Sequence, residues 1–182
     1  MDTHQKPRSK ALGFRLAFPD EYIRLVQIER RCFPQPWQQD EFNSDFLLTV
    51  IFLAGDPDAV VGYIATRCVG NSIVIENLAI DTPFQRQGFG RQVLGFAAGF
   101  APAVNPLGIR RAIRPQRLEA WVWERNIAAQ MLFKSCGFVA SKVVRNFYEE
   151  GTEAANDSAI LFAKPLGGVE FSKFPLVARI AQ

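Results

Sequence analysis

At 182 residues, 48% of them hydrophobic and 21% charged, the chain can bury the core of one ordinary domain. It lacks both the polarity of a disordered segment and the run of ~20 apolar residues that crosses a bilayer. A formal charge of +3 is too small to argue for nucleic acid and suits a small anionic ligand. A single histidine, His4, excludes a His-based triad or metal cage, and no metal site is expected. Three scattered cysteines (Cys32, Cys68, Cys136) without metal spacing read as reduced thiols of a cytoplasmic protein.

Residues 1–10, MDTHQKPRSK, are polar and basic and read as a flexible leader, not a signal peptide. Leu12 to Phe18 alternates as a first strand. A helix is expected from about Glu21 to Arg31, with Ile23, Val26 and Ile28 inward. The segment Phe33-Pro34-Gln35-Pro36-Trp37 breaks it, and Gln38 to Asp45 reads as a second helix. Leu48 to Ala54 and Val60 to Val69 read as strands joined by a turn at Gly55-Asp56-Pro57-Asp58. Asn71 to Ile80 is the next strand. Asp81-Thr82-Pro83 ends it, a basic turn Gln85-Arg86-Gln87-Gly88-Phe89-Gly90 follows, and a helix runs on to about Ala101.

A strand, a glycine-bearing turn and a helix in that order make a site for a phosphate. The first N–H groups of a helix have no partner within it, and its dipole adds partial positive charge there. Gly88 and Gly90 admit an anion close to the backbone, and Arg86 and Arg91 add side-chain charge. Neither GxGxxG nor GxxxxGK[ST] is present. What stands here is Q-x-x-G-x-G, formed by Gln85, Gly88 and Gly90.

Ala101 to Pro115 is Pro-rich and basic and reads as a loop. Leu118 to Trp123 returns as a strand, Ile127 to Ser135 as a helix stopped by Gly137. Phe138 to Tyr148 and Ser158 to Lys164 read as two closing strands around a polar loop. The organisation expected is a leader over 1–10, one domain over 11–165 and a C-terminal extension over 166–182.

The Q-x-x-G-x-G loop resembles the acetyl-CoA pyrophosphate loop, [QR]-x-x-G-x-[GA], of the GCN5-related N-acetyltransferase (GNAT) family. Asn126 to Phe138 is similar to that family's N-x-x-A-x-x-[LF]-[YF]-x-x-x-G-F segment. Arg145-Asn146-Phe147-Tyr148, Ala159 to Phe162 and Cys32-Phe33-Pro34-Gln35-Pro36-Trp37 resemble the branch that acetylates protein N-termini, typified by the alanine N-acetyltransferases of ribosomal proteins. The resemblance spans roughly Phe14 to Pro165. It implies an α/β (α+β) fold: a mixed, mostly antiparallel twisted sheet of six to seven strands, about four helices, and a splay at the acetyl-CoA site. By the same resemblance, backbone groups of Leu78, Ala79 and Ile80 would pair with the pantetheine arm. Gln85, Arg86, Gln87, Gly88, Phe89, Gly90 and Arg91 would hold the pyrophosphate. Asn126 and Phe133 would lie near the thioester, and Phe33, Trp37, Phe147 and Tyr148 would line the acceptor cleft.

Acetyl transfer to an amine needs a proton removed from the amine, donors for the developing oxyanion and a stabilised thiolate. The N-terminal acetylating branch commonly supplies a glutamate before the Asn helix and a tyrosine on it. Those positions fall on Trp121 and Phe133 here, and neither side chain transfers a proton. Glu119, two residues before Trp121 on the same strand face, Glu76 on the cofactor strand and Tyr148 are the substitutes. A water is the other route, since an α-amine with a pKa of about 7.7–8.0 is partly neutral near pH 8. The expected function is acetyl transfer from acetyl-CoA to an amine, preferably a protein N-terminus such as that of a ribosomal protein, by a monomer or homodimer without membrane or nucleic-acid partners. The alternatives are a small-molecule amine acetyltransferase and a non-catalytic acyl-CoA-binding module.

Overall fold

The structure, a computed structural model, describes residues 11–42, 45–100, 115–147 and 157–167. Strands β1 (Leu12–Leu16), β2 (Leu47–Leu53), β3 (Asp56–Val69), β4 (Ser72–Ile80), β5 (Arg117–Trp123), β6 (Val139–Val144) and β7 (Ala159–Pro165) form one sheet, in the order β1-β2-β3-β4-β5-β7-β6. Every neighbouring pair is antiparallel except β4 and β5. That exception follows from the connection, because two parallel strands need a crossover long enough to hold a helix. The helices are α1 (Tyr22–Cys32), α2 (Phe89–Phe100) and α3 (Ile127–Ser135).

The sheet is covered on both faces. Val93, Leu94 and Ala97 of α2 and Phe133 of α3 pack on Ile51, Ile64, Ile73, Ile75, Leu118, Ala120 and Val122. Leu25, Val26 and Ile28 of α1 pack with Phe42 on Val50, Tyr63, Ala65 and Ala79 from the opposite face. The alternation Val50/Ile51 and Ile64/Ala65 shows period two feeding two cores, which is why β2 and β3 read as nearly continuous apolar runs.

Four expectations from the sequence need correction. Ile23 is exposed at 58% and the buried stripe of α1 is Leu25, Val26, Ile28 and Glu29. Of the helix expected over Gln38 to Asp45, the described residues show no α-helix: Gln39–Glu41 make a single 3-10 turn, closed by the Glu41 carboxylate accepting from Gln38 N–H at 2.6 Å. Among the described residues the α-helices therefore number three, not four. The β2–β3 turn is Ala54-Gly55 alone, with Gly55 at φ 96°, and β3 already begins at Asp56. The register jumps from Phe52–Val60 to Leu53–Asp56, so Pro57 sits in an irregular stretch where its missing N–H breaks no ladder.

Residues 1–10, positions 101–114 of the loop expected over Ala101 to Pro115, Tyr148 and the tail from 168 onward lie outside the described residues. Among the described residues no helix is long and apolar enough to cross a membrane.

Candidate active site

The site begins with a defect in β4. Its register against β3 passes from Thr66–Ile75 to Ala65–Asn77, which leaves Glu76 as a bulged extra residue. The pairing of β4 with β5 stops at the same place, running only from Ser72–Arg117 to Ile75–Ala120. Beyond Ile75 the two parallel strands part, and the expected splay is a cleft of about 670 Å³ between them. Its walls are Glu76, Asn77, Leu78 and Ile80 of β4 and Ala120 to Trp123 of β5. Gln85, Arg86, Gly88 to Arg91 and the inner face of α3 close its end.

At that end Asp81 caps a 3-10 turn over Thr82–Phe84 by accepting from Thr82 N–H at 2.8 Å, and Arg31 grips the same carboxylate at 2.7 and 2.8 Å. The chain then turns through positive φ at Arg86 (62°) and Gly88 (82°) before α2 starts. A Cβ added at Gly88 would meet nothing within 4 Å, so glycine is there for its backbone angle and leaves open space beside it. Gly90 is glycine for another reason: its Cβ would stand 3.0 Å from Leu132 of α3, so α2 and α3 meet closely there. The first bond of α2 runs from Gln92 N–H to the Gly88 carbonyl. The N–H groups of Phe89, Gly90 and Arg91 thus have no partner within the helix. Arg86 and Arg91 line the cleft, and neither is ion-paired among the described residues. This end of the cleft is built for an anion.

The other residues singled out in this loop have structural contacts. Gln85 donates its amide to the Ile80 carbonyl at 2.8 Å and so ties the turn to β4. Gln87 donates to the Pro83 carbonyl at 3.1 Å and does not line the cleft. The Phe89 ring is 2% exposed and belongs to the core. Ala79 turns its side chain into the α1 core, whereas Leu78 and Ile80 pack toward α2 and α3.

On the far wall Asn126 caps α3, its Oδ1 accepting from Ala129 N–H at 3.0 Å, and it borders the cleft. Phe133 lines the cleft from α3 at 5% exposure, wedged edge-on against Phe138 and stacked on Phe162. Because Leu118, Ala120 and Val122 face α2 and α3, strand alternation turns Glu119, Trp121 and Trp123 to the opposite face. There Trp121 stacks on Phe147 with ring centroids 4.8 Å apart. Trp123 donates its indole N–H to Asp157 at 2.9 Å, and Arg125 donates to the same carboxylate at 2.8 Å.

The two candidate carboxylates separate. Glu76 borders the cleft but is ion-paired with Arg67 at 2.6 Å. Glu119 shares the face of Trp121, is held by Arg117 at 2.7 Å and does not border the cleft. Of the residues expected to line an acceptor cleft, Phe33 is a cleft wall, while Trp37 packs away from it against Phe42 and Phe46. Tyr148 lies outside the described residues.

Sequence reasoning missed Glu29 and Asn77. The Glu29 carboxylate is fully buried on α1 and accepts from Trp37 N–H, the Tyr63 hydroxyl and the Asn77 amide. Burial pushes its pKa up, and these three hydrogen bonds pull back only part of the rise. The signal was present in the pattern: Glu29 stands four residues after Leu25 and three after Val26, inside the apolar stripe. Asn77 interrupts an apolar strand in the same way. Among the described residues no cluster of His, Cys, Asp and Glu could hold a metal.

A mixed sheet that parts between two parallel strands, beside the glycine-bearing N-terminus of a helix, is the arrangement that the GNAT resemblance implied. The profile of the acetyltransferase (GNAT) domain matches residues 48–140, and the chain belongs to that family. It is 29% identical over 144 residues to the [ribosomal protein bS18]-alanine N-acetyltransferase of Salmonella typhimurium, covering 77% of this chain and 88% of the relative. The Escherichia coli protein of the same name is 29% identical over 140 residues, covering 76% and 87%. Among solved structures, the ribosomal-protein-S18-alanine N-acetyltransferase of Escherichia coli superposes with a TM-score of 0.68 over 90% of this chain and 99% of its own, at 22% identity. Arabidopsis thaliana NAA60 in complex with a bisubstrate analogue gives 0.70 over 87% and 100%, at 17% identity. These superpositions bear on the fold, and the expected sheet, splay and class agree with them.

Proposed function

We propose that this chain moves the acetyl group of acetyl-CoA onto a protein N-terminal α-amine, with a ribosomal protein as the acceptor class that its sequence relatives suggest. The observation that carries the reading is the cleft itself. An open strand edge after the Glu76 bulge leads to the N–H groups of Phe89, Gly90 and Arg91, which have no partner within α2, with Arg86 and Arg91 beside them. That arrangement fits a long ligand with a pyrophosphate at one end and amide groups along its arm. When bound, acetyl-CoA supplies the activated acyl carbon and its thiolate is the leaving group. The chain orients the amine between Phe33 and the Trp121 wall, and orientation of this kind is worth ~7 kcal/mol or more. Glu76 is the candidate carboxylate on the cleft wall. It is ion-paired with Arg67, and a water between it and the amine would relay the proton to it. On this reading residues 11–165 form the transferase domain, with 1–10 a leader and 166–182 an extension, and the protein works in the cytoplasm.

Thiol release from acetyl-CoA, measured with N-terminal peptides, free amino acids and polyamines, tests the proposal. Peptide-dependent release supports it. A preference for polyamines or small amines moves the acceptor to the small-molecule class. Phe133 and Trp121 at the family's proton-transfer positions favour one rival, a non-catalytic acyl-CoA-binding module. Tight calorimetric binding with no thiol release for any amine would select that rival.

A further inference from the structure

The wholly buried carboxylate of Glu29 has no part in the transfer outlined above. Removing a carboxylate from water is costly unless hydrogen bonds replace the lost hydration. Three donors from three separate parts of the chain do so: Trp37 N–H at 2.9 Å, the Tyr63 hydroxyl of β3 at 2.5 Å and the Asn77 amide of β4 at 3.1 Å. Asn77 extends the connection, since its Oδ1 accepts the Leu78 N–H at 2.8 Å. Apolar packing of Leu25, Val26 and Ile28 already fixes α1 on the sheet. The carboxylate adds something packing cannot, a directional link between two specific backbone points. One is at Trp37, in the segment that carries the cleft wall Phe33. The other is at Leu78, on the open edge of β4 just past the bulge.

We propose that Glu29 is a positioning residue that ties the Phe33–Trp37 segment to the Asn77–Leu78 edge of β4, and so sets the acceptor wall against the strand that faces the thioester. The proposal rests on the acetyl-transfer reading. A glutamine cannot replace the carboxylate here. It offers one acceptor oxygen and two N–H groups to a site where Trp37, Tyr63 and Asn77 all donate. Either the Trp37 link fails, or the Asn77 amide must turn over and release the Leu78 N–H.

The test uses the full chain, with acetyl-CoA and an N-terminal peptide that the wild type acetylates. Glu29→Gln is expected to lower kcat/KM for the peptide at least tenfold while the calorimetric Kd for acetyl-CoA stays within threefold. Asn77→Ala cuts the same link from the strand side, and its loss should not add to that of Glu29→Gln in the double variant. The half-buried Asn77 also keeps the test open if Glu29→Gln fails to fold, because its own split between peptide kcat/KM and acetyl-CoA Kd is then read alone. An unchanged peptide kcat/KM in a folded variant, a parallel loss of acetyl-CoA affinity, or fully additive losses would overturn the proposal. A wild type that binds acetyl-CoA but acetylates no amine would instead overturn the functional reading, and this proposal with it.

Discussion

At the α2 end of the cleft the proposed binding groups are backbone: the turn through Arg86 and Gly88 at φ 62° and 82°, then the three N–H groups that precede the first bond of α2. At the β5 wall they are side chains: Trp121 stacked on Phe147, with Phe133 across the cleft on α3. A backbone site depends on a few positions with left-handed angles, such as Gly88, and makes little demand on the side chains around it. A side-chain wall can be rebuilt one residue at a time. This explains how a recognisable phosphate loop coexists with aromatic residues at both usual proton-transfer positions. Ligand and reaction are encoded separately.

The sharpest break of that contrast is at Gly88. Its φ of 82° belongs to the left-handed region, which costs an L-residue roughly 1–2 kcal/mol and a β-branched one more. Gly88→Val should therefore weaken acetyl-CoA binding by about tenfold or more. Gly88→Ala should give a smaller loss, because the added Cβ itself meets nothing within 4 Å. Calorimetry on both variants measures it. Wild-type affinity in the valine variant would mean that the loop does not hold the ligand through its backbone.

The opposite wall should respond in the opposite sense. Trp121→Ala removes the stack on Phe147, an aromatic pair worth about 0.5–1.5 kcal/mol beyond its area. The expected result is a KM for the peptide acceptor raised about three- to tenfold, with acetyl-CoA affinity unchanged. If acetyl-CoA affinity falls and the peptide KM does not, Trp121 belongs to the cofactor wall and the division between the walls is lost.

What was legible in the sequence follows the same line. The loop from Gln85 to Arg91 could be read because its meaning is local: glycine spacing, charge and the strand and helix on either side. The bulge at Glu76 could not. Asn71 to Ile80 reads as an uninterrupted strand, and the extra residue appears only when β3 and β5 are laid beside it. On sequence spacing Glu119, which shares a strand face with Trp121, stands ahead of Glu76. Their separation, one beside the cleft and the other turned to Arg117, depends on that bulge and on where β5 stops pairing with β4. The misread helix after Trp37 has a similar cause. Phe42 is drawn into the α1 core, where Tyr22, Trp37 and Tyr63 surround it, and this tertiary packing overrode a locally helical pattern.

The smallest expected effect concerns stability and lies between the two walls, at Glu29. Burial raises its pKa in the folded chain, while the unfolded chain keeps the ordinary glutamate value of about 4.3. The titratable groups around it, the Tyr63 hydroxyl, the Cys32 thiol and the Glu41 carboxylate, supply no cation to reverse that direction. In the window between the two values the folded chain holds a proton that the unfolded chain has released. Stability from this group is therefore full below the ordinary glutamate pKa and declines as pH rises through the folded value. Glu29→Gln does not titrate. Its stability relative to wild type should accordingly rise across that window and level off above it, as measured by denaturant unfolding at a series of pH values. A flat or falling difference would mean that the three donors fully offset the burial. With the predicted rise, ionising the buried Glu29 carboxyl lowers the stability of the wild type, which fits a group that serves position rather than stability.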